Sequence, residues 1–271
     1  MINGTYTVID AHCHIYPDKI AERAVAGTDR FYDTHAVCRG TLSDLKAQGA
    51  KEGIDHFVVQ SVATTPKQVK GINEFIAESV VQANGLLTGL GTVHPDSADQ
   101  DGDVHHIMEL GLHGVKIHPD IQQCAIDDPR FMRVYELCEE NGLPILMHTG
   151  DYRYDFSNPN HLLPVLKRFP KLTIVGAHFG GWSVWEDAAR ELAGIPNLYV
   201  DCSSTFPFLK DVEKVQTLVE RFGADRVLFG TDYPMWALEP ELKNFWQLRL
   251  SDRERRMILS ENAIKIFSIS L

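Results

Sequence analysis

Paired cysteines, long apolar runs and an excess of basic residues are all missing from this 271-residue chain, and each absence removes a class of protein. Its five cysteines, Cys13, Cys38, Cys124, Cys138 and Cys202, are odd in number and contain no Cys-x-x-Cys pair, which argues against a disulfide framework and fits a reducing compartment. No apolar stretch approaches the roughly 18 residues of a membrane span. The first six residues are polar, without the basic start and apolar core of a signal peptide, so a cytoplasmic protein is expected. A formal net charge of −11 repels phosphate backbones and anionic lipid, which excludes nucleic acid and membrane as partners. The densest basic group, Arg253, Arg255 and Arg256, alternates with Asp252 and Glu254 and reads as a solvated helix face.

Short apolar, β-branched runs recur at 8–15, 56–62, 86–93, 114–118, 144–148, 172–178, 198–202 and 227–232. Helical periodicity fills the gaps at 41–52, 66–84, 103–110, 129–141, 160–169, 184–193 and 210–222, and a last helix is predicted over 252–267. Gly53, Gly85, Gly142 and Gly223 suit helix stops, while Thr41 and Ser251 suit N-caps and Pro129 a first helical position. Strand then helix, eight times over, with strands apolar on both faces, predicts a parallel sheet covered by helices. A glycine-rich turn after the first strand would favour an open doubly wound sheet; the turn here reads His-Cys-His-Ile-Tyr-Pro, so a closed (β/α)8 TIM barrel in one domain, residues 1–271, is expected.

The first strand ends in His12 and His14, which share a strand face and converge on one point, an arrangement suited to a divalent metal. Other strand ends carry Lys116 and His118, His148, His178 and Asp232, at the barrel end where such folds place active sites. The other histidines, His56, His94, His105, His106, His113 and His161 among them, receive no role. The longest irregular stretch, 16–40, carries Tyr16, Arg23, Arg30, Phe31, Tyr32 and His35; it either covers a site and grips an anion or is a surface excursion with a short helix of its own. Aromatic residues and one cation, Arg153, follow the later strands, with Tyr233 and Trp236 after the eighth.

The segments Asp10-Ala-His-Cys-His-Ile-Tyr-Pro17, Gly114-Val-Lys-Ile-His-Pro119, Pro144-Ile-Leu-Met-His148, Gly176-Ala-His-Phe-Gly-Gly181, Phe229-Gly-Thr-Asp-Tyr-Pro234 and Glu261-Asn-Ala-Ile-Lys-Ile-Phe267 occur in an order and spacing that resembles the amidohydrolase superfamily. Within it the chain is similar to the amidohydrolase-related group, which includes non-oxidative decarboxylases and lactone hydrolases. The resemblance implies that His12, His14, His148 and Asp232 bind a metal, with His178 a further ligand or a proton carrier that polarises substrate. It also implies that Asp232 shuttles a proton between water and leaving group. Three imidazoles and a carboxylate suit Zn2+ and leave room for a water, whose pKa the metal would lower to about 7. One ion with an unmodified Lys116 is expected; two ions bridged by a carboxylated Lys116 is the alternative. Substrate contacts are expected from Lys116, His118, Arg153, Tyr233 and Trp236. The expected activity is hydrolysis of an ester, lactone or amide bond in a small molecule, and the alternative is decarboxylation of an aromatic or unsaturated acid. A homo-oligomer is expected.

Overall fold

In the computed structural model, which describes residues 6–271, the apolar runs pair in parallel and in chain order. The strands are β1 (Ile9–His14), β2 (His56–Gln60), β3 (Leu87–Gly89, continuing as Gly91–Thr92), β4 (Val115–Ile117), β5 (Ile145–Met147), β6 (Ile174–Gly176), β7 (Leu198–Asp201) and β8 (Val227–Leu228). The first half of β3 pairs with β2 and the second half with β4. At the break, the buried Asn73 accepts from the Thr92 N–H at 2.7 Å and donates to the Thr92 carbonyl at 3.1 Å, so backbone groups freed by the break keep partners. The ring closes where Ala11 N–H donates to Phe229 O and Asp232 N–H donates to His12 O, each at 2.9 Å. The result is the expected (β/α)8 barrel.

Apolar side chains sort into two layers. Ile9, Ala11, Val58, Leu90, Leu146, Val175 and Leu228 fill the barrel interior, plugged from below by Ala263, Phe267 and Ile269 of the C-terminal segment. A larger cluster lies between strands and helices. Each fully buried Leu, Ile, Val or Phe contributes about 1.5–3 kcal/mol. Strand β1 changes layers part-way: Ile9 and Ala11 point inward, Cys13 and Ile15 belong to the outer layer, and the register with β2 shifts between Asp10 and Cys13. This bulge turns His12 and His14 into the mouth, where strict alternation from Ile9 would have sent them outward.

The stretch at 16–40 is largely regular. Helix α1 (Asp18–Tyr32) occupies most of it and ends at Asp33 in a left-handed conformation. It is followed by α2 (Leu42–Glu52) and, after β2 and a 3-10 turn at Pro66–Gln68, by α3 (Val69–Gln82). Short helices at Pro119–Gln122, Thr205–Leu209 and Leu238–Phe245 extend the loops after β4, β7 and β8, which the strand-and-helix pattern had left unassigned. The C-terminal helix contains a π turn at Met257–Glu261, whose Ile258 carbonyl accepts from Phe229 N–H at 2.8 Å.

Candidate active site

At the C-terminal mouth of the barrel, the His12 Nε2 lies 3.2 Å from the His14 Nε2 and 3.3 Å from the Asp232 Oδ1. The third edge, His14 Nε2 to Asp232 Oδ1, is 3.5 Å. Ligand distances of about 2.1 Å in a tetrahedral centre give edges of about 3.4 Å. These three atoms therefore fit three corners of a divalent-metal site. The chemistry of His12 agrees. Its Nδ1 donates to the fully buried Asp201 Oδ2 at 2.9 Å, which leaves the Nε2 lone pair facing the site. Gly230 packs against the same ring: a Cβ there would lie 3.0 Å from the Cβ of His12.

Asp201 ends β7 and organises two imidazoles at once. Its Oδ1 accepts from the backbone N–H of His178 and of Ser203, each at 3.0 Å, while Oδ2 takes His12. Burial opposes its ionisation, but His12, His178 and the Ser203 hydroxyl outweigh that and hold its pKa below the usual carboxylate range. The His178 Nδ1 donates to the Ser203 carbonyl at 2.9 Å, so its Nε2 enters the site as an acceptor, 3.2 Å from the His148 Nδ1. A neutral His178 in this tautomer suits a ligand and not a donor that polarises substrate. Asp10, buried beneath, accepts from the backbone N–H of His12 and from the N–H and hydroxyl of Thr231, tying β1 to the loop that carries Asp232.

Burial lowers the pKa of His14, His118, His148 and His178, and neighbouring imidazoles depress it further; Lys116 adds to the effect at the first three. Neutral imidazoles keep lone pairs for a cation. Burial also brings Lys116 down to about 8, resisted by Asp232 and Asp201; its Nζ sits 3.0 Å from the His12 Nε2.

The structure sets His148 apart from the three converging atoms. Its ring stacks on His118 with centroids 4.0 Å apart, its Nε2 is 3.6 Å from the Asp120 Oδ2, and only His178 links it to the inner group. His118 caps the Pro119–Gln122 helix: its Nδ1 accepts from Ile121 N–H, which places the ring proton on Nε2, 2.6 Å from the Tyr32 hydroxyl. Tyr32, at the end of α1, is therefore held over the site, its hydroxyl also 3.4 Å from the His148 Nε2.

Arg153, Tyr233 and Trp236, expected to contact substrate, do not line the main cavity, and Trp236 lines a small pocket beside it with His148, His178 and Asp232. Arg153 is absent from the cavity lining and forms a bidentate pair with the buried Asp151. It also donates to the Phe31 carbonyl at 2.7 Å, and its guanidinium lies 5.2 Å from the Phe31, Tyr32 and Tyr154 rings. An arginine at the C-terminus of α1, caged by aromatics, pins that helix down. Tyr233 is fully buried and points away, donating to the Thr41 carbonyl at 3.0 Å and Asp44 Oδ2 at 2.9 Å. Trp236 sits outside the main cavity and donates from Nε1 to the Ser204 hydroxyl at 2.9 Å; that hydroxyl in turn donates to Asp232 Oδ2 at 2.7 Å. It positions the carboxylate through Ser204. Lys116 and His118 do line the cavity. Among the unassigned histidines, His56 pairs with Thr88, His113 with the Phe267 carbonyl and His161 with Asp127, all structural contacts.

The His12, His14 and Asp232 cluster forms the floor of a cavity of about 620 Å3 roofed by α1 and the start of α3. No helix among the described residues is long and apolar enough to cross a membrane.

A parallel (β/α)8 barrel with histidines and a carboxylate converging at its C-terminal mouth defines the class of metal-binding barrel enzymes. The chain belongs to the amidohydrolase family, whose model matches residues 9–269. The family is enzymatic and holds both hydrolases and decarboxylases. The chain is similar to 2-amino-3-carboxymuconate-6-semialdehyde decarboxylase of Dictyostelium discoideum, at 24% identity over 60% of this chain and 55% of that one. It thus spans about half the length of that relative. It is also similar to L-fucono-1,5-lactonase of Burkholderia ambifaria, at 26% identity over 71% of this chain and 69% of that one. In fold it matches 5-carboxyvanillate decarboxylase from Sphingomonas paucimobilis, with a TM-score of 0.76 and 18% identity over 97% and 99% of the two chains. A dihydroxybenzoic acid decarboxylase from Polaromonas, solved with bound manganese, gives a TM-score of 0.72 at 16% identity over 97% of each chain.

Proposed function

We propose that this protein is a metal-dependent hydrolase that opens an ester, lactone or amide bond of a small molecule. The observation that supports this most is the convergence of His12 Nε2, His14 Nε2 and Asp232 Oδ1 within 3.2–3.5 Å at the floor of the cavity, with Asp201 fixing the His12 tautomer. His12, His14 and Asp232 hold the ion, and His178 offers a further lone pair. A nitrogen and oxygen donor set with short edges suits Zn2+, and Mn2+ is the competing ion. When bound, the ion supplies a Lewis acid that acidifies water at neutral pH. Asp232 accepts the proton as the water oxygen adds to the substrate carbonyl carbon, then returns it to the departing oxygen or nitrogen as that bond breaks. With Oδ1 turned to the ion, the proton is carried on Oδ2, which keeps a second lone pair beside the hydrogen bond it accepts from Ser204. The Lys116 ammonium donates to the substrate carbonyl, and Tyr32 and His118 close the site from α1's side and exclude water.

The buried Lys116 cation favours a second reading, non-oxidative decarboxylation, because it would also hold a substrate carboxylate against His12. A panel of lactones, N-acyl compounds and aromatic acids, assayed with carbon dioxide release scored separately, distinguishes the two. On whichever substrate turns over, Asp232→Asn lowers kcat by about 10²–10⁴-fold with the melting curve unchanged. Full activity in that variant, or no gain in turnover on adding Zn2+ or Mn2+ to the chelated protein, overturns the proposal.

A further inference from the structure

The cavity is far larger than the reacting centre needs, and its charge is at odds with the rest of the molecule. The chain carries a net charge of −11, yet among the described residues Asp232 is the only acidic one in the cavity lining, and its charged companions are Arg23, Lys67 and Lys116. Lys116 is at the floor beside His12. Arg23 on α1 and Lys67 in the turn before α3 are exposed parts of the same lining, and neither is paired with a carboxylate among the described residues. The rest of the wall is mainly apolar, made by Ile20, Ala24, Phe31, Ile72, Phe75 and Ile121, with Thr28, Ser61 and Gln68 among them. The long axis can be read from α1. Tyr32 touches His118 at the floor, and Arg23 stands nine residues earlier on the same helix, about 13 Å along its axis. At about 620 Å3 the space falls in the range that buries a drug-sized ligand, so a single-ring acid at the floor would leave most of it unfilled.

We infer that the substrate is an elongated amphipathic anion: a reacting carbonyl or carboxyl group at the histidine floor, an apolar chain or ring system along α1 and α3, and a terminal carboxylate at Arg23 and Lys67. This rests on the proposed metal-dependent activity for the identity of the reacting end, while the polarity of the cavity stands independently of it. An acidic protein gains from such a wall, because cations confined to one cleft attract anions that the remaining surface repels. The apolar stretch sets length, and the two exposed cations favour an anionic end by the modest margin of surface ion pairs.

Straight-chain α,ω-dicarboxylates from succinate to dodecanedioate, and the monocarboxylates of the same lengths, serve as probes in calorimetric titration of the Zn2+-loaded protein. Affinity is expected to peak in the upper half of the diacid series and to exceed that of the matching monoacid by about tenfold, the scale of two exposed ion pairs. Arg23→Gln with Lys67→Gln, both surface changes, removes that difference and leaves monoacid affinity unchanged. Equal binding of diacid and monoacid, a preference the double variant retains, or no diacid binding at millimolar concentration each overturns the inference. Failure of the hydrolase proposal looks different: no carbonyl compound turns over, while the length optimum and its loss in the double variant persist.

Discussion

Asp201→Asn tests whether the tautomer of His12 makes the metal site. The substitution keeps the shape of a side chain that is fully buried and accepts at both oxygens. The amide must turn its NH2 toward one set of partners. Turned toward the Oδ1 side, it faces the backbone N–H groups of His178 and Ser203, leaving two buried donors unsatisfied at about 1–3 kcal/mol each. Turned toward the Oδ2 side, it faces one imidazole nitrogen that can give up its proton. The second orientation wins by a few kcal/mol, and His12 answers by moving its proton to Nε2. That proton then occupies the direction the ion needs, 3.2 Å from His14 and 3.3 Å from Asp232. Affinity for Zn2+ and Mn2+, read by competition with a chromogenic chelator, falls by about 10–100-fold, the usual effect of losing such an outer partner. The variant remains folded, with stability lowered by about 1–3 kcal/mol for the lost charge-assisted bond. Metal affinity within twofold of the parent protein, measured on protein with a cooperative melt, would refute the tautomer argument.

The helix clamp and one buried carboxyl give two more predictions. Arg153→Met frees the Phe31 carbonyl and the aromatic cage, so hydrogen exchange speeds up across α1 and KM rises more than kcat falls, whereas a true anion contact would leave α1 exchange unchanged. Glu241 is buried and, chiefly through that burial and then through repulsion by Asp10 and Asp232, has its pKa raised from 4.5 to about 8. The native state therefore keeps a proton that the unfolded chain releases in this interval, and stability falls as pH rises from about 4.5 to about 8. Glu241→Gln removes that slope and gains a few kcal/mol at pH about 9 over the parent, at roughly 1.4 per pKa unit, in urea melts compared with pH about 5; parallel curves would count against it.

The barrel was legible because β-branched runs and helical periods alternate with little interruption, and the inner histidine pair because alternate strand residues share a face. The direction of that face was not legible, since it depends on a bulge created by pairing with β2. Asp201 went unread for a different reason. An aspartate ending Leu-Tyr-Val-Asp looks like a strand cap, and its partner His12 is 189 positions away. Helix α1 did leave a signal: Ile20, Ala21, Ala24, Val25, Thr28, Phe31 and Tyr32 follow a helical period, with Asp18 in the first turn, and reading it would have placed Tyr32 and Arg23 on one element. Arg153 and Tyr233 were misplaced because their residue types suit a binding rim equally well, and only the packing of Asp151, Asp44 and the α1 carboxyl end reveals what they hold.

Three residues at this mouth share a backbone conformation that favours glycine. His178, Ser204 and Asp232 all adopt positive φ, at 58°, 55° and 63°. None is glycine, and residues held this way cost on the order of 1–3 kcal/mol each unless the surroundings fix them. The surroundings do: Asp201 accepts from His178 N–H, His12 O accepts from Asp232 N–H, and Ser204 donates its hydroxyl to Asp232. The same conformation recurs at the helix ends Asp33, Gln123, Lys210 and Ser268, and with glycine at Gly150 and Gly180, so it marks tight turns in general. At the mouth the strained positions carry the imidazole, the carboxylate and the hydroxyl steadying it, the groups that the proposed cation and proton transfer would use.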